Sequence, residues 1–190
     1  MKKEYSSVLL VAIVVFLSAL MRIINAEFNF YHLIPIAALG LFSGSILKNK
    51  IWAYAIPLSA LFLSDIGFAL FTSTKGFYGI SQIVNYTAIV LVTLLGTYLI
   101  NRSFTRIAGF TVGGSLLFFL LSNFGTYLSG YYGFGFSSLT ECYTMALPFY
   151  KNELATNFFL NSFAGDMLFS FLAFGLHNWF LEKKPMFRLA

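Results

Sequence analysis

Six apolar stretches separated by short polar segments run along the chain. Most of them are close to the 20 residues that a helix needs to cross a hydrocarbon core of roughly 30 Å. They predict six membrane-spanning helices at residues 6–24, 32–47, 51–71, 79–100, 107–128 and 154–181. The second stretch is short, and a partly inserted segment around Pro35 is one way for it to begin.

A longer segment, residues 129–153, separates the fifth predicted helix from the sixth. It contains three glycines that suit a sharply turning or mobile loop, several tyrosines and the only cysteine of the chain, Cys142. We expect residues 139–147 to form a short helix that ends at Pro148, because proline does not continue a helix.

The composition supports a membrane protein. The 190 residues are 58% hydrophobic and 10% charged, and the mean hydropathy is +0.79. A water-soluble core of this size could not cover so much apolar surface. We therefore predict an all-α integral membrane protein with a single domain, residues 1–190. The first apolar stretch resembles a signal peptide, but its length and the unfavourable Ile24 before Ala26 favour a retained first helix.

The charge distribution predicts an orientation. The net charge of +5 does not indicate nucleic-acid binding, because the basic residues lie scattered in short loops. Three of them fall on one side of the predicted bundle: Arg22, Lys75 and Lys151. The other nine fall on the opposite side: Lys2, Lys3, Lys48, Lys50, Arg102, Arg106, Lys183, Lys184 and Arg188. Positive charge favours the cytoplasm, so both termini are expected there.

Three ionisable side chains lie where the pattern predicts membrane. Arg22 is at the outer end of the first predicted helix, Asp65 is near the outer end of the third, and Asp166 is deeper in the sixth. Such groups cost about 2.5–3.5 kcal/mol each on insertion scales and often mark sites or pathways. Pairing of Arg22 with one of the two carboxylates would create a polar centre in the outer half. Structural ties, or an arginine that reaches the headgroups, are the alternative.

Other polar residues concentrate toward the same side. Asn85, with Gln82 beside it, lies in the fourth predicted helix, and Asn123 lies in the fifth. Tyr127 and Tyr143 belong to the aromatic residues around the outer segment. An interfacial aromatic belt explains the tyrosines. The alternative is a lid that stacks on a ligand, since pockets combine aromatic walls with a few fixed polar groups.

Two further sequence features have both a structural and a functional interpretation. Gly40 and Gly44 form a GxxxG step, which allows close approach of a helix from this chain or from a partner membrane protein. Cys142 is either a packed thiol or a thiolate ligand to a metal-bearing molecule, without a second ligand nearby. We expect no resident metal, no cofactor and no enzymatic activity, because no nucleotide-binding, HExxH or GxSxG motif is present.

The chain is similar to a bacterial family of uncharacterised membrane proteins described as S components of energy-coupling factor (ECF) transporters. The similarity lies in Arg22 and Asn25, PIAALGLFSG at 35–44, PLSALFLSD at 57–65, SLLFFLLSNFGTYLSG at 115–130, ECYTMALPFY at 141–150 and GD at 165–166. It implies a six-helix bundle that binds a vitamin-like molecule near the outer face. A membrane coupling protein and cytosolic ATPases would be its partners. The AxxxA docking step of many S components is absent, because Phe16 follows four residues after Ala12.

The main functional hypothesis is a substrate-capture subunit for uptake of a vitamin-like or other small molecule. Its expected binding residues are Arg22, Asp65, Asn85, Asn123, Tyr127, Tyr143 and Asp166, and its expected partner interface is Gly40 and Gly44. The alternative is a structural scaffold that recruits other membrane proteins and has a filled interior. An intramembrane enzyme is a third option, and it would need Asp65 and Asp166 to lie about 3 Å apart.

Overall fold

The structure is a computed structural model that describes residues 2–27, 35–73, 75–147 and 158–182. Within these ranges all regular elements are helical. In chain order they are α1 Lys2–Glu27, α2 Ile36–Ile46, α3 Lys50–Phe71, α4 Ile80–Thr97, α5 Phe104–Leu128, α6 Phe136–Ala146 and α7 Phe158–His177, followed by a π-helical turn at Asn178–Glu182.

Among the described residues, four helices are long and apolar enough to cross a membrane. They are α3, α4, α5 and the part of α1 from Tyr5 to Ile24. These four match the first, third, fourth and fifth stretches predicted from sequence. The predicted sixth helix corresponds to α7, although residues 154–157 lie outside the described residues.

The second predicted span is the element that differs most from expectation. Helix α2 has 11 residues, which corresponds to a length of roughly 16 Å at 1.5 Å per residue, about half of the hydrocarbon thickness. It begins after Pro35, and residues 32–34 lie outside the described part of the chain. A helix this short could not reach both surfaces of a bilayer, so inside one at least one of its ends would have free backbone groups that need partners.

Helix α2 is also the centre of the bundle. Nine of its 11 residues are buried, and it contacts α1, α3, α4, α5 and α7. The contact with α4 is especially close at Gly40 and Gly44. A Cβ atom at Gly44 would overlap the carbonyl oxygen of Thr93 in α4. The GxxxG step therefore serves packing within the chain.

Both ends of α2 receive charged partners. At its N-terminus the backbone N–H of Ala38 donates to Asp166 Oδ1 at 2.9 Å. At its C-terminus Arg102 Nη2 donates to the carbonyl oxygen of Ser45 at 2.8 Å. A carboxylate at the positive end and a guanidinium at the negative end both complement the helix dipole. These contacts explain how a short helix is tolerated inside the bundle.

A proline in α3 leaves a backbone carbonyl of α3 without its helical donor, and α2 supplies the donor. Pro57 has no N–H, so the carbonyl of Ala53, one turn earlier, loses its helical hydrogen bond. Ser43 of α2 donates its hydroxyl to this carbonyl oxygen at 2.7 Å, and both residues are fully buried. The proline and the serine thus form a matched pair across the α2–α3 contact.

Candidate functional site

Asp65 is the centre of a buried polar network between α1, α3 and α4. Its side chain is 0% exposed. Arg22 of α1 donates through Nη1 to Asp65 Oδ1 and to Ser64 Oγ, both at 2.5 Å. The guanidinium also lies 4.9 Å from the centre of the Phe68 ring. The predicted pairing of Arg22 with one of the two carboxylates is thus found with Asp65.

Helix α4 supplies the other two partners of this carboxylate. Gln82 Nε2 and Tyr86 Oη each donate to Asp65 Oδ2 at 2.8 Å. The two residues are four positions apart and therefore lie on the same face of α4. Tyr86 was not among the residues singled out from sequence, and Gln82 was noted only as a neighbour of Asn85. In the sequence, the spacing of Gln82 and Tyr86 by four residues was the signal that could have identified them as one polar face of α4.

The connection between α3 and α4 folds back along α3 at the level of Asp65. Gly76 is buried there, and a Cβ atom on it would overlap the backbone carbonyl oxygen of Asp65. Only glycine permits this approach. The next residue, Phe77, consequently lies edge-on to Phe62 of α3, with the ring centres 6.4 Å apart.

A cavity of about 550 Å³, open to the outside over most of its extent, lies between α3, this connection and α4. Its wall is mainly apolar, and Gln82, Tyr86 and Thr87 provide the polar groups. The full lining is Leu58, Phe62, Phe77, Gln82, Ile83, Tyr86, Thr87 and Val90. The same two side chains that hold Asp65 thus face the cavity. A molecule in this cavity would meet an amide and a hydroxyl whose positions are set by a buried ion pair.

Asp166 is held at a different place in the bundle. Its Oδ1 accepts from Ala38 N–H and its Oδ2 accepts from Ser115 Oγ at 2.7 Å, which ties α7 to α2 and α5. One turn along, Thr111 donates to Ser170 in the same interface. The single polar centre expected from sequence is therefore two separate centres. In the described part of the chain the two carboxylates bond to different residues and not to each other, as a dyad that shares one proton would require.

Asn85 lies close to the cavity in sequence but is not part of its lining. Its Nδ2 donates to Tyr78 Oη at 3.2 Å. Its Oδ1 is buried and has no hydrogen-bond partner among the described residues. The geometry thus places Asn85 beside the network of Asp65 and not in contact with it.

Asn123, Tyr127 and Tyr143 organise the junction of α5 with α6. Asn123 Nδ2 bonds the carbonyl of Phe119 within its own helix, and Tyr143 Oη donates to the carbonyl of Leu120 at 2.7 Å. Tyr127 Oη accepts from the N–H of Gly135 at 3.3 Å. None of the three lines the cavity between α3 and α4. The structure therefore does not place them with Arg22 and Asp65.

Helix α6 is longer at its N-terminus than predicted, and Pro148 lies outside the described residues. Cys142 in this helix is 2% exposed and donates to the carbonyl of Asn123 at 3.3 Å. Burial raises the pKa of the Cys142 thiol and also that of the neighbouring Tyr143 hydroxyl. These contacts describe a packed, protonated thiol. In the part of the chain that the structure describes, no three metal-binding side chains cluster.

Gly40 and Gly44 are both buried against α4. The partner interface expected at these positions would need them on the surface of the bundle. Because α4 already occupies this face, the close approach that the motif allows takes place inside the chain.

Residues 2–187 match a protein family described as "Family of unknown function (DUF6580)". The chain belongs to this family. No curated protein matches the chain, and no solved structure does. The family description assigns no activity, so the functional argument rests on the site itself.

Proposed function

We propose that the protein is a membrane subunit that captures a small molecule from the outer side of a bacterial inner membrane for uptake. The observation that carries this proposal is the cavity between α3 and α4, with Gln82 and Tyr86 on its wall. Small-molecule sites typically measure about 300–1,000 Å³ and combine an apolar lining with a few oriented polar groups. The cavity has both properties.

The buried ion pair gives the wall its rigidity. Arg22 compensates the charge of Asp65, and Asp65 in turn accepts from Gln82 and Tyr86. Such satisfied buried networks fix side-chain positions. A ligand would then bind to groups that are already oriented, which lowers the entropic cost of binding. This role explains why charged residues are retained at membrane depth.

The proposed topology has six crossings and both termini in the cytoplasm. Helix α2 would belong to the second crossing, and α7 to the sixth. The excess of basic residues on the side of the connection between α2 and α3 supports this orientation. The cavity extends from the connection between α3 and α4 to the middle of both helices, and it would then lie in the outer half of the membrane.

The proposed partners follow from the resemblance to S components of ECF transporters. A membrane coupling protein and cytosolic ATPases would drive release of the bound molecule toward the cytoplasm. The chain itself has no recognised phosphate-binding loop, so energy would have to come from such partners. Since Gly40 and Gly44 are buried, docking of the coupling protein would use another surface.

A structural scaffold is the second candidate, and the surroundings of Asp166 favour it. There Asp166 is 1% exposed, and both of its oxygens accept hydrogen bonds from protein groups. A scaffold of this kind would recruit other membrane proteins through its lipid-facing helices. It would have no use for a cavity whose polar wall is held by an ion pair.

Co-purification tests the capture function directly. Thr87 lies at the exposed side of the cavity, and its hydroxyl bonds only its own helix, so Thr87→Trp should fill the space without breaking the network. Leu94→Trp, at another exposed position of α4, is the matched control. Small molecules extracted from purified protein would be identified by mass spectrometry. We expect a compound that is enriched with the wild type and Leu94→Trp and lost with Thr87→Trp. Equal extracts from all three proteins would contradict the proposal.

A further inference from the structure

The open side of the cavity between α3 and α4 is apolar. Phe62 is 49% exposed, Phe77 53% and Ile83 64%. Helices α3 and α4 are both candidate membrane spans, so side chains exposed on them within the bilayer contact acyl chains. A molecule can therefore reach this cavity from within the membrane.

The interior of the cavity is polar at one side and carries no unpaired charge. The Thr87 hydroxyl donates to the carbonyl of Ile83 in its own helix, so the amide of Gln82 and the hydroxyl of Tyr86 are the main hydrogen-bonding groups. No lining residue is ionisable at neutral pH. Behind them Asp65 is neutralised by Arg22. A charged ligand group would find no counter-ion at this wall and would lose its hydration. A hydroxyl, carbonyl or amide would find matching partners.

We propose that the ligand is a neutral amphipathic molecule that enters from the bilayer, with its apolar portion between Phe62, Phe77 and Ile83 and its uncharged polar group at Gln82 and Tyr86. This inference rests on the proposed capture function and names its substrate class. A phospholipid headgroup would find no counter-ion at this wall, so bilayer phospholipid is not the expected occupant. The substrate is thus a lipid-soluble compound that is distinct from the surrounding lipid.

Photolabelling in phospholipid nanodiscs tests this inference. The probe is a long-chain alcohol that carries a diazirine, and the comparison probe is the carboxylic acid of the same chain. Saturable labelling is the part that an excess of the unmodified alcohol removes, and peptide mass spectrometry locates it. Bilayer phospholipid is present in excess throughout and acts as a built-in competitor.

We expect the alcohol to label the cavity-lining residues of α3 and α4 saturably. The acid should label them about tenfold less, because its carboxylate would be buried without a counter-ion. Thr87→Trp should abolish saturable labelling, whereas Leu94→Trp should retain it. Equal labelling by acid and alcohol, or equal labelling of the two variants, would overturn the inference.

The two proposals fail in different ways. If a water-soluble, charged compound co-purifies with the wild type and is lost with Thr87→Trp, the amphipathic ligand is ruled out and the capture function stands. If neither co-purification nor photolabelling distinguishes Thr87→Trp from Leu94→Trp, both proposals are wrong.

Discussion

Arg22 and Asp65 are mutually dependent because the ion pair that they form is largely buried. Asp65 is fully buried, and the Arg22 side chain is 12% exposed. The arginine is the cationic partner of the carboxylate, while Gln82 and Tyr86 provide neutral donors. Removal of one member of a buried pair leaves the other charge without compensation, which costs more than loss of the whole pair.

Arg22→Ala should therefore lower the free energy of unfolding by about 3–5 kcal/mol. Adding Asp65→Asn should recover a large part of this loss, since it removes the uncompensated charge and keeps an acceptor for Gln82 and Tyr86. Thermal unfolding in detergent would measure both effects. Lys75→Ala, at an exposed basic position, is the control and should change little. If the double variant is no more stable than Arg22→Ala, the uncompensated charge of Asp65 is not the cause of the destabilisation.

Cys142 should react slowly with iodoacetamide in the folded protein. Its pKa is raised by burial, and the thiolate is the reactive form, so alkylation should increase only at a pH higher than that needed for a free cysteine. The comparison is Ser137→Cys in a Cys142→Ser background, which places an exposed thiol on the same helix. Intact mass spectrometry over a pH series would follow the reaction. Equal rates at pH 8 would contradict a packed, protonated Cys142.

At the scale of elements, α2 determines the arrangement of the other helices. It is short, almost entirely buried and held by side chains from outside the helix at both ends. In a water-soluble protein, solvent would satisfy part of these end groups, but a bilayer provides no such partners. The polar contacts of α2 thus replace the hydrogen bonds that a full-length transmembrane helix makes with itself.

Ser43→Ala should destabilise the protein by about 1–3 kcal/mol, because the buried carbonyl of Ala53 would lose its donor. Adding Pro57→Ala should reverse most of this loss, since residue 57 would regain the N–H that bonds this carbonyl in a regular helix. Unfolding of the two single variants and the double variant forms a thermodynamic cycle. Additive effects would mean that the serine and the proline act independently.

Asp166→Leu should also destabilise the bundle, by about 1–3 kcal/mol for each of the two donors left unsatisfied, Ala38 N–H and Ser115 Oγ. Asp166→Asn should be milder, because its Oδ1 can still accept from Ala38. Neither variant should change ligand retention in folded protein, since Asp166 is not part of the cavity lining. Stability would be followed by thermal unfolding and retention by mass spectrometry. A stable Asp166→Asn protein that retains no ligand would place Asp166 in the site.

For the whole molecule, hydrophobic patterning predicted the long helices well, because an apolar run near 20 residues has few other stable structures. It did not predict that α2 would be a short buried helix, since helix length within an apolar run depends on which neighbours satisfy the ends. The cost of burying charge was enough to predict that Arg22 forms an ion pair. It was not enough to predict that the partner is Asp65 and not Asp166, because the partner depends on helix rotation and packing. Gln82 and Tyr86 were missed for the same reason.

The orientation of the whole molecule in the membrane is a separate prediction from its fold. Lys75 lies in the connection before α4 and Asn101 in the connection after it, and both residues are exposed. In a Cys142→Ser background, a cysteine at position 75 should react with a membrane-impermeant maleimide added to spheroplasts. A cysteine at position 101 should react only after the membrane is opened, because the basic residues near it favour the cytoplasm. The reverse pattern would place the cavity in the cytoplasmic half, and capture from the outer side would no longer be possible. Labelling of both positions from outside would mean that α4 does not cross the membrane.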